Sequence, residues 1–222
     1  MNREGKVEGK PHTVITISRQ MGSGGSYTGY LLARELGFKY VDREILRLAA
    51  KHMGTDEKWL GRYDERSSGI IANILRGFSF GTPEAALVPP LQMPVYDRDL
   101  FGLECRIMND IADRYSAVIV GRGGFHALRD RPFVVRVFIH APLEFRVKRL
   151  MKVQDISSFD EAKSMVEESD RKRARFIKDM VGVDWTDAKN YHLCIDMSAV
   201  GFSESAEMIV RLVKGLPDQL KQ

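Results

Sequence analysis

Cysteine is scarce in this chain of 222 residues, which contains only Cys105 and Cys194. Neither belongs to a CxxC pair or to a group of cysteines and histidines with zinc spacing, so we expect no disulfide framework and no structural metal site. Long apolar runs are also missing, since no segment approaches the roughly 18 residues that a membrane-spanning helix needs. Residues 1–10 are polar and charged, unlike a secretory signal. We therefore expect a soluble, cytoplasmic protein with no membrane partner.

Charge of one sign is not in large excess. Lysine and arginine together number 34 and aspartate and glutamate 30, which leaves a formal net charge of +4. This balance suits a small anionic ligand and does not indicate a nucleic-acid partner. A hydrophobic fraction of 44% and a charged fraction of 29% are typical of a globular chain, and the length predicts one domain over residues 13–216 after a polar lead-in, 1–12.

Five short apolar segments are predicted to be strands, and helical patterns separate most of them. The predicted strands are 13–18, 38–41, 117–120, 133–139 and 192–195. Strands that alternate with helices pair in parallel and are covered by helices on both faces of the sheet. The sequence therefore predicts an α/β fold.

A glycine-rich segment, RQMGSGGS at residues 19–26, follows the first predicted strand and precedes a helical pattern. In this arrangement, backbone N–H groups at the start of a helix can bind a phosphate. The phosphate-loop pattern GxxxxGK[ST] is matched at Gly24 and Ser26. It is not matched at Arg19, which replaces the first glycine, or at Gly25, which replaces the lysine.

Two alternatives to a phosphate loop remain open for this segment. The dinucleotide pattern GxGxxG, begun at Gly22 and Gly24, fails at Tyr27, although Asp42 lies about twenty residues further on, as such a site requires. A turn with a purely structural role is the other alternative. Phosphate binding is the interpretation that we favour.

The succession of segments resembles the cytidylate-kinase-like branch of the nucleoside monophosphate kinases over roughly residues 14–210. The segments that carry the resemblance are ITISRQMGSGGS (15–26), YVDREIL (40–46), VGRGG (120–124), FIHAPLEFRVKRL (138–150), DRKR (170–173) and YHLCIDMS (191–198). Their order and spacing are more specific than any single motif.

The resemblance implies a P-loop kinase fold, with three α/β/α layers and a five-stranded parallel sheet. It further implies a helical insertion at residues 55–94 that binds the monophosphate, and a lid at residues 157–180. The implied reaction is magnesium-dependent transfer of the terminal phosphoryl group of ATP to CMP or dCMP. The base preference is not determined by the sequence, and another small phosphate acceptor remains open.

This chain departs from the family pattern at two places. Gly25 replaces the loop lysine, and the family's Gly-Arg-Asp at the end of the third strand is Gly121-Arg122-Gly123. One guanidinium group can donate two parallel hydrogen bonds to phosphate oxygens. We therefore hypothesise that Arg19 and the lid arginines replace the lysine.

Candidate site residues come from the loop, the strand ends and the resemblance. The expected catalytic residues are Arg19, Asp170 and Arg173, of which the last two match the family's D-x-x-R. The expected ATP-binding residues are Gly22, Ser23, Gly24, Gly25, Ser26, Tyr27, Arg146, Arg149 and Arg171, and Ser26 is also the expected magnesium ligand. The expected acceptor-binding residues are Asp42, Arg43, Arg98, Arg106 and Arg122.

Most of these residues also have a structural interpretation. Asp42 and Ser26 could each be the N-cap of a helix. The lid pair could belong to the solvated face of a charged helix, and Arg98 and Arg106 could be surface residues. Arg122, which is flanked by glycines, is the residue hardest to explain as a surface charge.

Two further function classes compete with an active kinase. The first is a nucleotide-binding regulatory protein with weak or no catalysis, which the missing lysine favours. The second is an RNA-binding module that uses the arginine-rich residues 171–178, although this segment has no aromatic residue besides Phe176.

Overall fold

The computed structural model describes residues 11–54 and 98–216, and in them five strands form one parallel sheet. The strands are β1 (Val14–Arg19), β2 (Lys39–Val41), β3 (Ala117–Val120), β4 (Val134–His140) and β5 (Leu193–Asp196). Their spatial order is β2-β3-β1-β4-β5. The predicted five-stranded parallel sheet is confirmed, and each strand begins within one residue of its predicted start.

Helices connect successive strands in the described part of the chain. They are α1 (Gly25–Leu36), α2 (Arg43–Gly54), α3 (Arg98–Arg114), α4 (Gly124–Ala127), α5 (Leu143–Gln154), α6 (Phe159–Val181), α7 (Met197–Val200) and α8 (Phe202–Lys214). Among the described helices, none is long and apolar enough to cross a membrane. The predicted monophosphate-binding insertion, 55–94, lies outside the described residues.

Two hydrophobic clusters cover the two faces of the sheet. On one face Val14 and Ile119 pack with residues of α2 and α3, such as Ile107. On the other face Ile17 and Val118 pack with residues of α1 and α8. Because successive side chains of a strand point to opposite faces, a sheet buried on both sides needs apolar residues at nearly every position. This explains the nearly continuous apolar runs in the sequence and gives the predicted three-layer architecture.

The carboxyl ends of β1, β3 and β4 lie side by side. In the register of the sheet, Ile17 pairs with Val120 and Arg19 pairs with Ile139. Ligands of open α/β sheets bind at this edge of the strands. The glycine-rich segment after β1 and the Gly121-Arg122-Gly123 turn after β3 are therefore neighbours.

The N-termini of three helices show how local chemistry defines this fold. Asp42 Oδ1 accepts hydrogen bonds from the backbone N–H groups of Glu44 and Ile45, so Asp42 is the N-cap of α2, as its structural interpretation required. Pro142 directly precedes α5 with extended backbone dihedrals. The predicted lid, 157–180, falls on one 23-residue helix, α6, which Ser158 caps.

Helix α1 packs so closely on the sheet that Gly29 has no room for a side chain. A Cβ at Gly29 would lie 2.8 Å from Val120 Cγ2 and 3.2 Å from Ile17 Cδ1. We expect Gly29→Ala to lower the free energy of unfolding by about 1 kcal/mol, because overpacking outweighs the gain in helix propensity.

Gly102 in α3 is the matched control, since no described atom lies within 4 Å of where its Cβ would be. Gly102→Ala is expected to raise the free energy of unfolding by about 0.5–1 kcal/mol. Urea unfolding of both variants is the measurement, and equal effects of the same sign would contradict the close packing of α1.

Candidate functional site

The glycine-rich segment forms a tight turn between β1 and α1. Gly22 and Gly24 have positive φ angles of 80° and 91°. A Cβ at Gly22 would lie 2.5 Å from the Arg146 carbonyl oxygen, and one at Gly24 would lie 2.3 Å from a ring carbon of Phe202. Both glycines are therefore required by the backbone conformation and by close neighbours. Ser23 is fully buried and donates from Oγ to Gln20 O at 2.9 Å, a hydrogen bond that closes the turn.

The start of α1 faces this turn without a capping side chain. Gly24 directly precedes the helix, and no side chain in the described chain caps it. The alternative that Ser26 is the N-cap is therefore wrong. Instead, Ser26 lies in the first helical turn, where its Oγ accepts a hydrogen bond from Arg19 Nε at 3.3 Å. An uncapped helix N-terminus presents backbone N–H groups to an anion.

A cleft of about 290 Å³, counted with its opening to solvent, lies beside the turn. Its lining residues are Arg19, Gln20, Met21, Gly22, Gly24, Gly25, Ser26, Tyr27, Arg149 and Arg173. The three arginines come from three different elements, β1, α5 and α6, and this lining contains no carboxylate. Eight of the predicted site residues are thus brought together, whereas Gln20 and Met21 were not predicted.

Arg149 presents an unsatisfied donor. Its Nη1 is buried and has no hydrogen-bond partner in the described part of the chain. The guanidinium lies 5.1 Å from the centroid of the Phe202 ring, and burial lowers its pKa. A buried N–H group without an acceptor is costly, so this position favours an anionic ligand.

Arg19 and Arg173 add two more positive charges, and both side chains are partly exposed, that of Arg173 by 27%. Burial lowers the pKa of Arg19, and the charge of Arg43 lowers it further. Burial, followed by the charge of Arg19, lowers the pKa of Arg173 to about 9. Such shifts mean that the site disfavours its own positive charges, and a phosphate would relieve this.

Asp170 connects helix α6 to the glycine turn. Its Oδ1 accepts from the backbone N–H of Met21 at 2.9 Å and from Arg173 Nη1 at 3.1 Å. Its Oδ2 accepts from Arg146 Nη1 at 2.6 Å. One carboxylate thus positions the turn and two arginines. The solvated-face interpretation does not describe Asp170, whose side chain is 18% exposed.

Arg146, on α5, binds the backbone of the glycine turn. Its guanidinium is buried and donates from Nε to Ala141 O at 2.9 Å and from Nη1 to Met21 O at 3.1 Å. Because these acceptors belong to the protein, Arg146 braces the turn and does not line the cleft. Contact with ATP stays a prediction for Arg146, as it does for Arg171, whose side chain is 69% exposed beside Glu167.

Arg122, at the end of β3, pairs with a buried acid that the sequence analysis missed. Arg122 has a φ of 50° and donates from Nε to Glu104 Oε2 at 2.7 Å, and from Nη2 to the same oxygen. Its guanidinium also lies 4.3 Å from the centroid of the Phe176 ring. Burial raises the pKa of Glu104, which is 1% exposed, and Arg122 opposes this effect.

A signal for Glu104 was present in the sequence. Phe101, Glu104, Met108 and Ile111 recur at helical spacing and are all buried in α3, so the glutamate occupies an otherwise apolar stripe. Helix α3 therefore places an acid against Arg122, although the turn Gly121-Arg122-Gly123 itself has none.

The remaining predicted acceptor-binding residues are divided between two places. Asp42 and Arg43 lie at the end of β2, where Arg43 is close enough to influence the pKa of Arg19, Arg173 and Glu104. Arg98 and Arg106 are exposed on α3, in agreement with their interpretation as surface residues. Acceptor binding stays a prediction for all four.

Ser26 is the candidate magnesium ligand at the turn. In the described part of the chain no group of three or more histidines, cysteines or acids could hold a metal ion. Magnesium on a nucleotide, however, is held by phosphates and waters with one or two protein oxygens. A hydroxyl oxygen has two lone pairs, so Ser26 Oγ can accept from Arg19 and still bind a cation. The residues present therefore fit a magnesium ion carried by the nucleotide.

The contacts of Asp170 generate a testable prediction about stability. Asp170→Ala leaves the buried Arg146 without its carboxylate, and we expect the free energy of unfolding to fall by about 3 kcal/mol. Asp170→Asn keeps an acceptor for the Met21 amide and should lose less. Glu168→Ala removes an exposed acid on the same helix and should cause no measurable loss. Equal urea midpoints for Asp170→Ala and Glu168→Ala would contradict the bracing role.

Comparison with known proteins places this geometry in a family. The family model described as "Cytidylate kinase-like family" matches residues 14–199. A cytidylate kinase of Methanosarcina acetivorans is 34% identical over 183 residues, which cover 82% of this chain and 86% of that protein.

Two solved structures are similar in fold. An uncharacterized protein from Eubacterium ventriosum has a TM-score of 0.68 at 20% identity, over 91% of this chain and 99% of that one. A gluconokinase from Sinorhizobium meliloti has a TM-score of 0.51 at 16% identity, over 94% of this chain and 97% of that one. The P-loop kinase fold expected from the sequence is thus confirmed. Since the family match spans the sheet, the glycine turn and α6, this chain belongs to the cytidylate kinase-like family.

Proposed function

We propose that this protein is a nucleoside monophosphate kinase that transfers the terminal phosphoryl group of ATP to CMP or dCMP. Family membership supports a nucleotide kinase, and the name of the 34% identical relative supports cytidylate as the acceptor. The observation that carries the proposal is the convergence of Arg19, Arg149 and Arg173 on the glycine turn, in a cleft whose described lining has no carboxylate.

Phosphoryl transfer needs two phosphates held in line, and positive charge where negative charge accumulates. In the proposed complex, the N–H groups at the start of α1 bind the donor phosphates. The unpartnered Nη1 of Arg149 donates to a phosphate oxygen from the α5 side. Arg173 donates from the lid side, where Asp170 fixes its orientation. These donors are oriented before the substrate binds, which is the arrangement that stabilises developing charge most effectively.

Magnesium would be held by Ser26 Oγ together with the nucleotide's phosphates, and it would neutralise part of their charge. The protein's own contribution is to orient that hydroxyl, which Arg19 Nε contacts at 3.3 Å in the first turn of α1.

The acceptor is proposed to bind at the ends of β2 and β3, where Arg43 and Arg122 follow the strands. Arg122 is held by Glu104 and Phe176, so its guanidinium is oriented but partly neutralised. This pairing supports a positioning role in the acceptor site at least as well as a direct phosphate contact.

A nucleotide-binding regulatory protein without turnover is the second candidate. The observation that favours it is Gly25, which stands where a phosphate loop carries its lysine. Both candidates bind ATP, and they differ only in acceptor-dependent turnover.

ADP formation from Mg-ATP tests the proposal, with CMP, dCMP, UMP, AMP and no acceptor as parallel reactions. We expect turnover that depends on CMP or dCMP. Arg173→Ala should reduce this turnover about 100-fold, because one oriented charged donor is lost. Arg211→Ala is the matched control, since this arginine is 82% exposed on α8, and the control should keep the full rate.

The possible results separate the two candidates. Turnover that Arg173→Ala leaves unchanged would contradict the assignment of the lid arginine. ATP binding without turnover on any acceptor would contradict the kinase and favour the regulatory protein.

A further inference from the structure

Arg19 and Gly25 compete for one space. A Cβ built on Gly25 would lie 2.5 Å from Arg19 Cβ and 3.0 Å from Arg19 Cγ. Distances this short between carbon atoms do not occur in well-packed proteins, and here the first contact involves a Cβ that cannot move without its backbone. A side chain at position 19 therefore excludes a side chain at position 25.

The backbone does not require glycine at position 25. Gly22 and Gly24 have φ angles in the left-handed region, whereas Gly25 is the first residue of α1 and has no positive φ. Any residue could adopt this conformation. What requires glycine at this position is the side chain of Arg19.

The same contact explains the two departures from the phosphate-loop pattern. In GxxxxGK[ST], the first position is glycine and the seventh is the lysine that reaches the phosphates. Residues 19 and 25 are these two positions, and they carry arginine and glycine. If only one of the two can have a side chain, the cation can stand at either position but not at both.

Arg19 extends from β1 past the start of α1 to the end of β3. Its Nε donates to Ser26 Oγ at 3.3 Å. Its Nη1 occupies the space beside Gly121, where a Cβ would be 2.2 Å away. In the described part of the chain Arg19 has no ion pair with a carboxylate. The Arg19 side chain thus passes Gly25 with its Cβ and Cγ and reaches Gly121 with its guanidinium, which has donors left for a ligand.

We propose that Arg19 is the phosphate-binding cation of this turn, moved from the seventh position of the loop to the first, and that Arg19 and Gly25 are an exchangeable pair. This inference rests on the proposed function because it assigns the phosphates of a nucleotide as the ligand. The guanidinium donates two N–H groups to phosphate oxygens where a lysine would donate from a single ammonium.

Exchange of the two residues tests the proposal, with the dissociation constant of ATP measured by calorimetry. Arg19→Gly removes the cation, and Gly25→Lys forces a collision with Arg19. Each should weaken ATP binding about tenfold or more. The double variant Arg19→Gly/Gly25→Lys restores the standard pattern and should bind ATP within about threefold of the original protein.

Two further variants separate charge from shape. Arg19→Ala/Gly25→Lys keeps the Cβ at position 19, so it should not recover ATP binding. Arg19→Gln keeps the Cβ and Cγ that contact Gly25 and removes the charge, so it should weaken ATP binding about tenfold without lowering the thermal midpoint. Gly25→Lys alone should lower the thermal midpoint by about 5 °C, and the exchange should restore it. Arg211→Ala is again the exposed control.

Several results would overturn the inference. Unchanged ATP affinity in Arg19→Gln would show that Arg19 does not bind phosphate. Normal stability and ATP binding in Gly25→Lys would show that the two side chains do not exclude each other, and equal recovery in the Ala and Gly double variants would show the same. Because these assays need no acceptor, they test whether Arg19 binds phosphate even if CMP-dependent turnover fails and the proposed function is wrong.

Discussion

The carboxylate of Asp170 is bound by the backbone of the glycine turn and by Arg146 and Arg173, so one negative charge joins the turn to α5 and α6. Hydrogen bonds to a charged group contribute about 1.5–3 kcal/mol each, more than most contacts in the protein. Without this carboxylate, Arg146 would be buried without its acid and Arg173 would face Arg19 with no opposing charge. The geometry of the cleft depends on this interaction.

Asp170 cannot balance the whole site. Its two oxygens already accept three hydrogen bonds, while Arg149 keeps a buried donor without a partner. Partial burial, together with the charges of neighbouring arginines, lowers the pKa values of Arg19 and Arg173, so holding these cations together is unfavourable. The two apolar clusters that cover the sheet supply the stability that offsets this cost. A polyphosphate is the ligand class that would turn the repulsion into attraction, since its oxygens could accept from several guanidinium groups at once.

The sequence predicted the parts of this structure that local patterns determine. The strands were predicted from apolar runs, which a sheet covered on both faces requires. The N-cap interpretation of Asp42 came from the capping chemistry of aspartate. The glycine spacing located the turn. The sequence could not separate Arg146, which braces the turn, from Arg149, which lines the cleft, because they differ in contacts with Met21 and Phe202, far away in the chain. For Glu104 the apolar stripe indicated burial, but its partner Arg122, 18 residues away, could not be identified from the sequence.

The proposed move of the phosphate-binding cation from position 25 to position 19 has a physical basis in phosphoryl transfer itself. The reaction needs little covalent help from the protein, so a cation is effective if it reaches the correct oxygens, whatever element carries it. Arg19 starts from a buried strand, donates to Ser26 and fills the space that the absent side chains of Gly25 and Gly121 leave. It therefore loses less conformational freedom on binding than a lysine that projects from the end of a helix. In this proposal the sheet orients the Arg19 cation before the nucleotide binds. A charge oriented in advance stabilises the transition state more than one that must first move to meet the substrate.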